Sequence, residues 1–121
     1  MLDSGNALLD PLSQNPVVVV EYDAVRKLIP FELHQIFQQK DDQRLTGELV
    51  AASDWADRFR LVMFSSVGSG SDSGLLPSFR PDELVIYEDN GSRSTNNVVI
   101  GVVNKKLSQG GEYFALLHPQ I

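Results

Sequence analysis

Apolar residues along this chain are grouped in short runs, many of them β-branched, that are separated by Gly, Pro, Asp and Asn. The longest run comprises the four valines at residues 17–20 and shows no alternation with polar residues. Such a run is typical of a strand that is buried on both faces. Further strands or apolar segments are predicted at residues 8–9, 60–67, 75–79, 83–88, 97–103 and 113–117. The pattern therefore predicts a mostly β domain.

Helical patterns are concentrated in the stretch that follows the valine run. Asp23 is a suitable N-cap for a short helix over residues 24–29, which Pro30 would end. A second helix is predicted over residues 31–39, and Ser53 is predicted to cap a helical turn near residues 55–59. The aromatic and aliphatic side chains of the helix over residues 31–39 are interpreted as part of the hydrophobic core: Phe31, Leu33, Ile36 and Phe37. Short helices are thus expected to be inserted after the valine strand.

Length and composition limit the possible classes of protein. At 121 residues the chain is long enough for one core and short for two, so residues 1–121 are predicted to form a single domain. The formal net charge is -6 and no basic run occurs, which argues against nucleic-acid binding. The absence of cysteine excludes disulfides and thiolate chemistry.

The candidate chemistry lies at the start of the chain, in Asp3, Ser4, Gly5 and Asn6. An Asp followed by a small hydroxyl residue and Gly is typical of aspartic peptidases, in which the carboxylate activates water. The hydroxyl can hydrogen-bond to a partner loop, and Gly allows a tight turn close to the carboxylate. The same three residue types are also common in ordinary turns, so the motif needs support from elsewhere in the chain.

That support comes from an apolar-apolar-Gly element, Val99, Ile100 and Gly101. A glycine inside an apolar run marks a bulge or a close backbone contact. In an aspartic peptidase lobe it lets a second strand pass beside the catalytic loop. The two elements occur in the expected order, with Asp3 as the predicted catalytic residue.

A second Asp-Ser-Gly triplet begins at Asp72, inside a glycine/serine segment, and no apolar strand leads into it. It is interpreted as a solvated loop. Each chain then carries one carboxylate, whereas the reaction needs two that share one proton. The sequence therefore predicts a homodimer with Asp3 and its symmetry mate at the axis.

Other chemistries have weaker support. Gly68, Ser69 and Gly70 resemble the beginning of a dinucleotide motif, but the third glycine is misplaced. No nucleophile elbow is present. His34 and His118 are not at metal-ligand spacing, so no metal and no cofactor is predicted.

The Asp-Ser-Gly triplet belongs to a longer D-S-G-N-x-L-x-D-P block at residues 3–11, which is far more specific than the triplet alone. Through this block, and through residues 16–21, 64–68, 79–82 and 113–119, the chain resembles over nearly its whole length the sporulation sigma-E factor-processing peptidases of endospore-forming bacteria. The resemblance implies a retropepsin-like β fold with short inserted helices, and it implies Asp3 as catalytic carboxylate with Ser4, Gly5 and Asn6 in the supporting loop.

The resemblance also implies a substrate, partners and a location. The family cleaves the N-terminal pro-sequence from an inactive sporulation sigma factor, as a homodimer, after a forespore-derived signal protein engages a membrane half. The full-length protein would lie in the cell membrane with its protease domain on the cytoplasmic side. Only two residues precede Asp3, so this chain is interpreted as a soluble fragment with Met1 supplied for expression and with little activity of its own.

The chain differs from retroviral proteases in two respects, and several alternative interpretations stay open. Asn6 stands where those enzymes usually have Ala, and the helical stretch widens the separation between Asp3 and Gly101. Residues 66–74 are a candidate flap or, alternatively, a disordered connector. The rival functions are a non-catalytic retropepsin-like binding or dimerisation module, and a small-ligand or transport-associated β domain with an incidental turn motif.

Overall fold

The computed structural model describes residues 8–38, 48, 50–65, 73–108, 110 and 115–116. Within these residues strands predominate over helices. The strands are β1 (Val17–Glu21), β2 (Phe59–Ser65), β3 (Ser73–Phe79), β4 (Leu84–Glu88), β5 (Gly91–Thr95), β6 (Val99–Val103) and β7 (Ala115–Leu116). The helices with described bounds are α1 (Tyr22–Val25) and α2 (His34–Phe37), with 3-10 turns at Arg26–Leu28 and Phe31–Leu33, and residues 48, 50 and 51 are also helical. The mostly β class with short inserted helices is confirmed.

Five of the strands form one mixed sheet in the order β2-β3-β6-β1-β7, and β4 pairs with β5 in a separate hairpin. The pair β1–β6 is parallel, with Val19 opposite Gly101. The pairs β2–β3, β3–β6 and β1–β7 are antiparallel. All five residues of β1 are buried, as the uninterrupted valine run predicts.

The central sheet buries apolar side chains on both faces. One face packs against the helical insertion in a cluster whose members include Val18, Val20, Phe37, Phe79 and Ile100. The opposite face carries a smaller cluster that comprises Val17, Val19, Val62, Leu76 and Val99, with Leu8, Val103 and Leu107 packed against it. Alternate residues of β1 and β6 therefore serve two separate cores.

The helical insertion is more broken than its sequence predicts. The first helix begins at Tyr22 and not after Asp23, its N-cap is Glu21, and no side chain caps it. The second predicted helix divides into a 3-10 turn and the four-residue α2. Phe31, interpreted as core, is 90% exposed. With Pro30 directly before it, Phe31 begins a tight 3-10 turn, and Leu33, Ile36 and Phe37 take the inner positions.

Several strand predictions also change. Strand β5 was not expected, because Gly91–Thr95 contains no apolar residue; it forms through the turn at residues 89–90 and pairing with β4. Strand β3 begins at Ser73, within the predicted glycine/serine loop. Residues 8–9 contribute a single bridge, Leu9 with Pro16, and no strand. Residues 55–58 form turns and no regular helix. No helix in the described part of the chain is long and apolar enough to cross a membrane.

Candidate active site

Val99, Ile100 and Gly101, the predicted apolar-Gly element, lie in the first three positions of β6. This strand is held on both sides: Gly101 is opposite Val19 of β1 and opposite Ser78 of β3. The side chain of Ser78 is fully buried and donates a hydrogen bond to the Leu76 carbonyl at 2.8 Å. The element therefore sits in the middle of the sheet, with no free edge.

The space around Gly101 leaves little room for a side chain. A Cβ atom at this position would lie 2.6 Å from Leu76 Cδ2 and 3.0 Å from Val17 Cγ1. Both neighbours are buried, so neither can move away freely. Among the described residues, the atoms that crowd Gly101 are therefore side chains of β1 and β3, and contact between Gly101 and the catalytic loop stays a prediction.

The four residues of the catalytic motif, Asp3, Ser4, Gly5 and Asn6, lie outside the described residues. The described part of the chain begins at Leu8, whose carbonyl accepts a hydrogen bond from the Val17 N–H at 3.0 Å. Leu8 packs on the same face of the sheet as Val17 and Leu76, the two residues that crowd Gly101. The segment leaving the motif and the apolar-Gly element therefore share one face of the sheet.

A tight loop at residues 10–15 connects this segment to β1. Asp10 donates its N–H to the Asn15 carbonyl at 2.9 Å and accepts the Gln14 N–H at 2.7 Å. The Asp10 carboxylate also folds over the loop, where its Oδ2 accepts the Ser13 hydroxyl at 2.6 Å and the Ser13 N–H at 3.3 Å. Asp and Ser favour such side-chain-to-backbone bonds in turns. The carboxylate is nevertheless only 1% exposed.

A second buried carboxylate, Glu21, ends β1. Its Oε2 accepts the N–H of Leu107 at 2.8 Å, which ties the chain beyond β6 to the sheet. Glu21 also lines a shallow surface pocket with Asp23, Asn104 and Lys105. The hydrogen bond to a backbone N–H gives this carboxylate an evident structural role.

Of the remaining titratable residues that the sequence singles out, His34 does not join this region. The Tyr22 hydroxyl lies 2.5 Å from His34 Nδ1, and their rings meet edge to face, so His34 packs within the helical insertion. Asp72 and His118 lie outside the described residues. Among the described residues no group of three or more His, Cys, Asp or Glu side chains could hold a metal ion.

Asp10 is not among the candidate site residues that the sequence singles out, although it belongs to the D-S-G-N-x-L-x-D-P block. The available signal was residue type, since Asp and Ser favour side-chain-to-backbone hydrogen bonds in turns. Burial of the carboxylate could not be inferred from residue type, because it depends on the packing of β2 beside the loop.

Comparison of the sequence with models of known protein families identifies the family of this chain. The model of the family described as sporulation factor SpoIIGA matches residues 1–121, which is the whole chain. The chain belongs to the sporulation factor SpoIIGA family. The predicted resemblance to the sporulation sigma-E factor-processing peptidases is confirmed.

Individual SpoIIGA-family relatives carry matching names. A protein of Bacillus thuringiensis subsp. kurstaki that is named as a sporulation sigma factor-processing peptidase is 31% identical over the whole chain. The chain covers 73% of that relative. Sporulation sigma-E factor-processing peptidases of Priestia megaterium and Bacillus subtilis are 27% and 28% identical, again over the whole chain. The chain spans only 38% of the length of each of these two. No solved structure matches the chain.

Proposed function

We propose that this chain is the protease domain of an aspartic endopeptidase and that Asp3 is its catalytic carboxylate. The observation that carries the proposal is the shared face of the sheet: Leu8, which follows the D-S-G-N motif, packs beside the residues that crowd Gly101. Membership in a family whose relatives are named as peptidases supports proteolysis as the reaction class.

The fold proposed for residues 1–121 is a single retropepsin-like domain. Parallel pairing of β1 with β6 supports it, because the strand after the D-S-G-N motif then lies directly beside the apolar-Gly strand. The helical insertion follows β1 and packs on the face opposite Gly101. It can therefore lengthen the chain between Asp3 and Gly101 without entering the proposed site.

The proposed mechanism needs two copies of the chain. Asp3 of each copy contributes one carboxyl group, and the two share a single proton because like charges a few ångströms apart cannot both ionise. The ionised carboxylate takes a proton from water, which attacks the scissile carbonyl carbon, while the protonated partner donates to the carbonyl oxygen. The resulting tetrahedral intermediate then loses the amine, which receives a proton from the dyad.

The residues next to Asp3 have supporting roles in this proposal. Ser4 would hydrogen-bond across the dimer and keep the two carboxyl groups coplanar, while Gly5 and Asn6 would shape the turn. Gly101 would leave space for the packed layer of Val17 and Leu76 beneath that turn. No metal and no cofactor enters the mechanism.

The proposed substrate is the inactive precursor of a sporulation sigma factor, from which the enzyme would remove the N-terminal pro-sequence. This assignment comes from the names of the relatives, and the matched part is 38% of two of them. We further propose that the full-length protein lies in the cell membrane with its protease domain on the cytoplasmic side. A forespore-derived signal protein would act through the membrane half.

The candidate flap, residues 66–74, remains a proposal. Strands β2 and β3 pair up to Ser65 opposite Ser73, so residues 66–72 connect the two strands and residues 73–74 belong to β3. Residues 66–72 lie outside the described residues. A flap on this hairpin would close over the peptide and exclude water from the dyad.

The direct experiment is to co-express the full-length protein with its sigma-factor precursor and to follow processing by immunoblot. We expect Asp3→Asn to abolish processing, because a neutral amide cannot serve as the base. Asp72→Asn is the matched control, since Asp72 begins an identical triplet and should be silent. Processing by Asp3→Asn at the wild-type rate would instead favour the non-catalytic binding or dimerisation module.

A further inference from the structure

The carboxyl group of Asp10 is buried although only one of its oxygens is bonded. Oδ2 accepts both hydrogen bonds from Ser13, whereas Oδ1 has no hydrogen-bond partner among the described residues. Burial of a carboxylate is costly unless its lone pairs are satisfied and a counter-charge is near. Stability alone is therefore a weak reason for an Asp at this position.

The counter-charge comes from Arg60 of β2, whose Nε lies 3.7 Å from Asp10 Oδ2. The guanidinium is held in place by its own bonds, since one terminal nitrogen donates to the carbonyls of Asp57 and Phe59 at 3.1 and 2.9 Å. The side chain is 20% exposed and its Nε makes no hydrogen bond within the described part of the chain. Arg60 thus faces Asp10 from a fixed position in the sheet.

The two partners of Asp10 lie in different parts of the molecule. Ser13 lies within the loop before β1, and Arg60 lies in β2, which pairs with β3 in the same sheet as β6 and Gly101. Asp10 itself lies two residues after Leu8, where the chain emerges from the D-S-G-N segment. One buried carboxylate therefore joins the segment that follows the motif both to its own loop and to the sheet.

We propose that Asp10 is a positioning residue for the catalytic motif. Its carboxylate, held between Ser13 and Arg60, fixes where the chain that leaves Asp3 meets the sheet beside β1. The inference rests on the proposed function, because it assigns to Asp10 an effect exerted through Asp3. An error of 1 Å in the placement of a catalytic group can cost about 10²-fold in rate, so a structural connection of this kind can control kcat.

The test uses the purified full-length protein and a peptide that spans the junction between pro-sequence and sigma factor. We expect Asp10→Ala to lower kcat about 10²-fold, with KM changed less than about twofold, because placement of the reacting groups is lost and peptide contacts are kept. Asp10→Asn, which keeps an acceptor for Ser13, should recover about tenfold of that loss. Ser13→Ala should show a smaller decrease than Asp10→Ala.

The pH profile of kcat separates positioning from mere folding. A smaller folded fraction scales the whole profile down and leaves its limbs in place, whereas a displaced dyad has different apparent pKa values and moves the limbs. Asp82→Ala is the control: Asp82 pairs with Arg58 at 2.9 Å, two residues from Arg60, but is exposed. Its kcat and pH profile should match the wild type.

Two results would overturn the inference: wild-type kinetics for Asp10→Ala, or a kcat that falls only with the folded fraction while the pH limbs stay fixed. If Asp10→Ala does not accumulate, Asp10→Asn and Ser13→Ala decide by the same criteria. Asp3→Asn is measured in parallel. An active Asp3→Asn enzyme refutes the proposed function itself, whereas an inactive one beside an unaffected Asp10→Ala enzyme refutes only the role of Asp10.

Discussion

The five-stranded sheet with its helical cover and the β4–β5 hairpin represent two ways of stabilising strands in one small molecule. In the sheet, every residue of β1 is buried, and β6 is buried at all but its last position. In the hairpin, β5 presents four exposed residues and one half-buried residue, and only Ile86 of β4 is buried. The sheet depends on side-chain packing, whereas the hairpin depends on backbone pairing and its turn.

The two regions also use glycine for different reasons. Gly101 has side chains at 2.6 and 3.0 Å from where a Cβ atom would lie, so its constraint is space. Gly91, at the beginning of β5, has nothing within 4 Å of that point but has φ +132°, so its constraint is backbone conformation. Close packing thus favours glycine at position 101 in the sheet, whereas turn geometry favours it at position 91 in the hairpin.

The largest contrast is expected between two aromatic residues. Phe37 is fully buried and meets Trp55, Phe59 and Phe79 in edge-to-face contacts, whereas Tyr87 of the hairpin is 82% exposed. Phe37→Ala should lower the free energy of unfolding by about 3–5 kcal/mol. Tyr87→Ala should change it by less than about 0.5 kcal/mol. Denaturant titration of the 121-residue chain measures both, and equal losses would erase the proposed contrast.

Substitutions at the two glycines are expected to have effects of intermediate size. Gly101→Ala should cost about 1–3 kcal/mol because it overpacks Leu76 and Val17. Gly91→Ala should cost about 1 kcal/mol through its backbone conformation. In a double-mutant cycle, Leu76→Ala should relieve the cost of Gly101→Ala and leave that of Gly91→Ala unchanged. If the cycle shows no coupling between positions 76 and 101, crowding is not what keeps Gly101 a glycine.

The smallest effect is expected for the ion pair within the hairpin. Arg93 lies 3.1 Å from Glu88 across the turn, and both side chains are about half exposed. Glu88→Gln should lower the free energy of unfolding by less than about 0.5 kcal/mol, because solvent screens the pair, and high salt should remove the difference. Urea titration at low and high salt tests this. A loss above 1 kcal/mol would mean that the hairpin depends on its charges after all.

The same contrast explains how much of the fold could be predicted from sequence. Strands β1 and β6 can be recognised in the sequence because burial on both faces requires an uninterrupted run of apolar residues. Strand β5 carries no such signal, since Gly91–Thr95 buries nothing and forms through pairing with β4. Phe31 was misplaced for a related reason: its hydrophobicity suggests burial, but the turn after Pro30 directs it to solvent.

The sequence predicts the motifs of the candidate site but not the contacts between residues that are far apart in the chain. Gly101 could be singled out because a lone glycine inside an apolar strand needs a close neighbour, and the structure supplies Leu76 and Val17. The approach of Arg60 to Asp10 joins residues fifty positions apart. No local pattern encodes that contact, because it depends on how β2 lies beside the loop before β1.

Mixing wild-type and variant chains tests whether a catalytic dyad takes one Asp3 from each of two copies. Equal amounts of wild-type and Asp3→Asn full-length protein would be co-expressed, and processing of the sigma-factor precursor would be measured per wild-type chain. We expect mixed dimers to be inactive and this activity to fall to about half, because half of the wild-type chains pair with a variant. Activity per wild-type chain that is independent of the added variant would contradict a shared dyad.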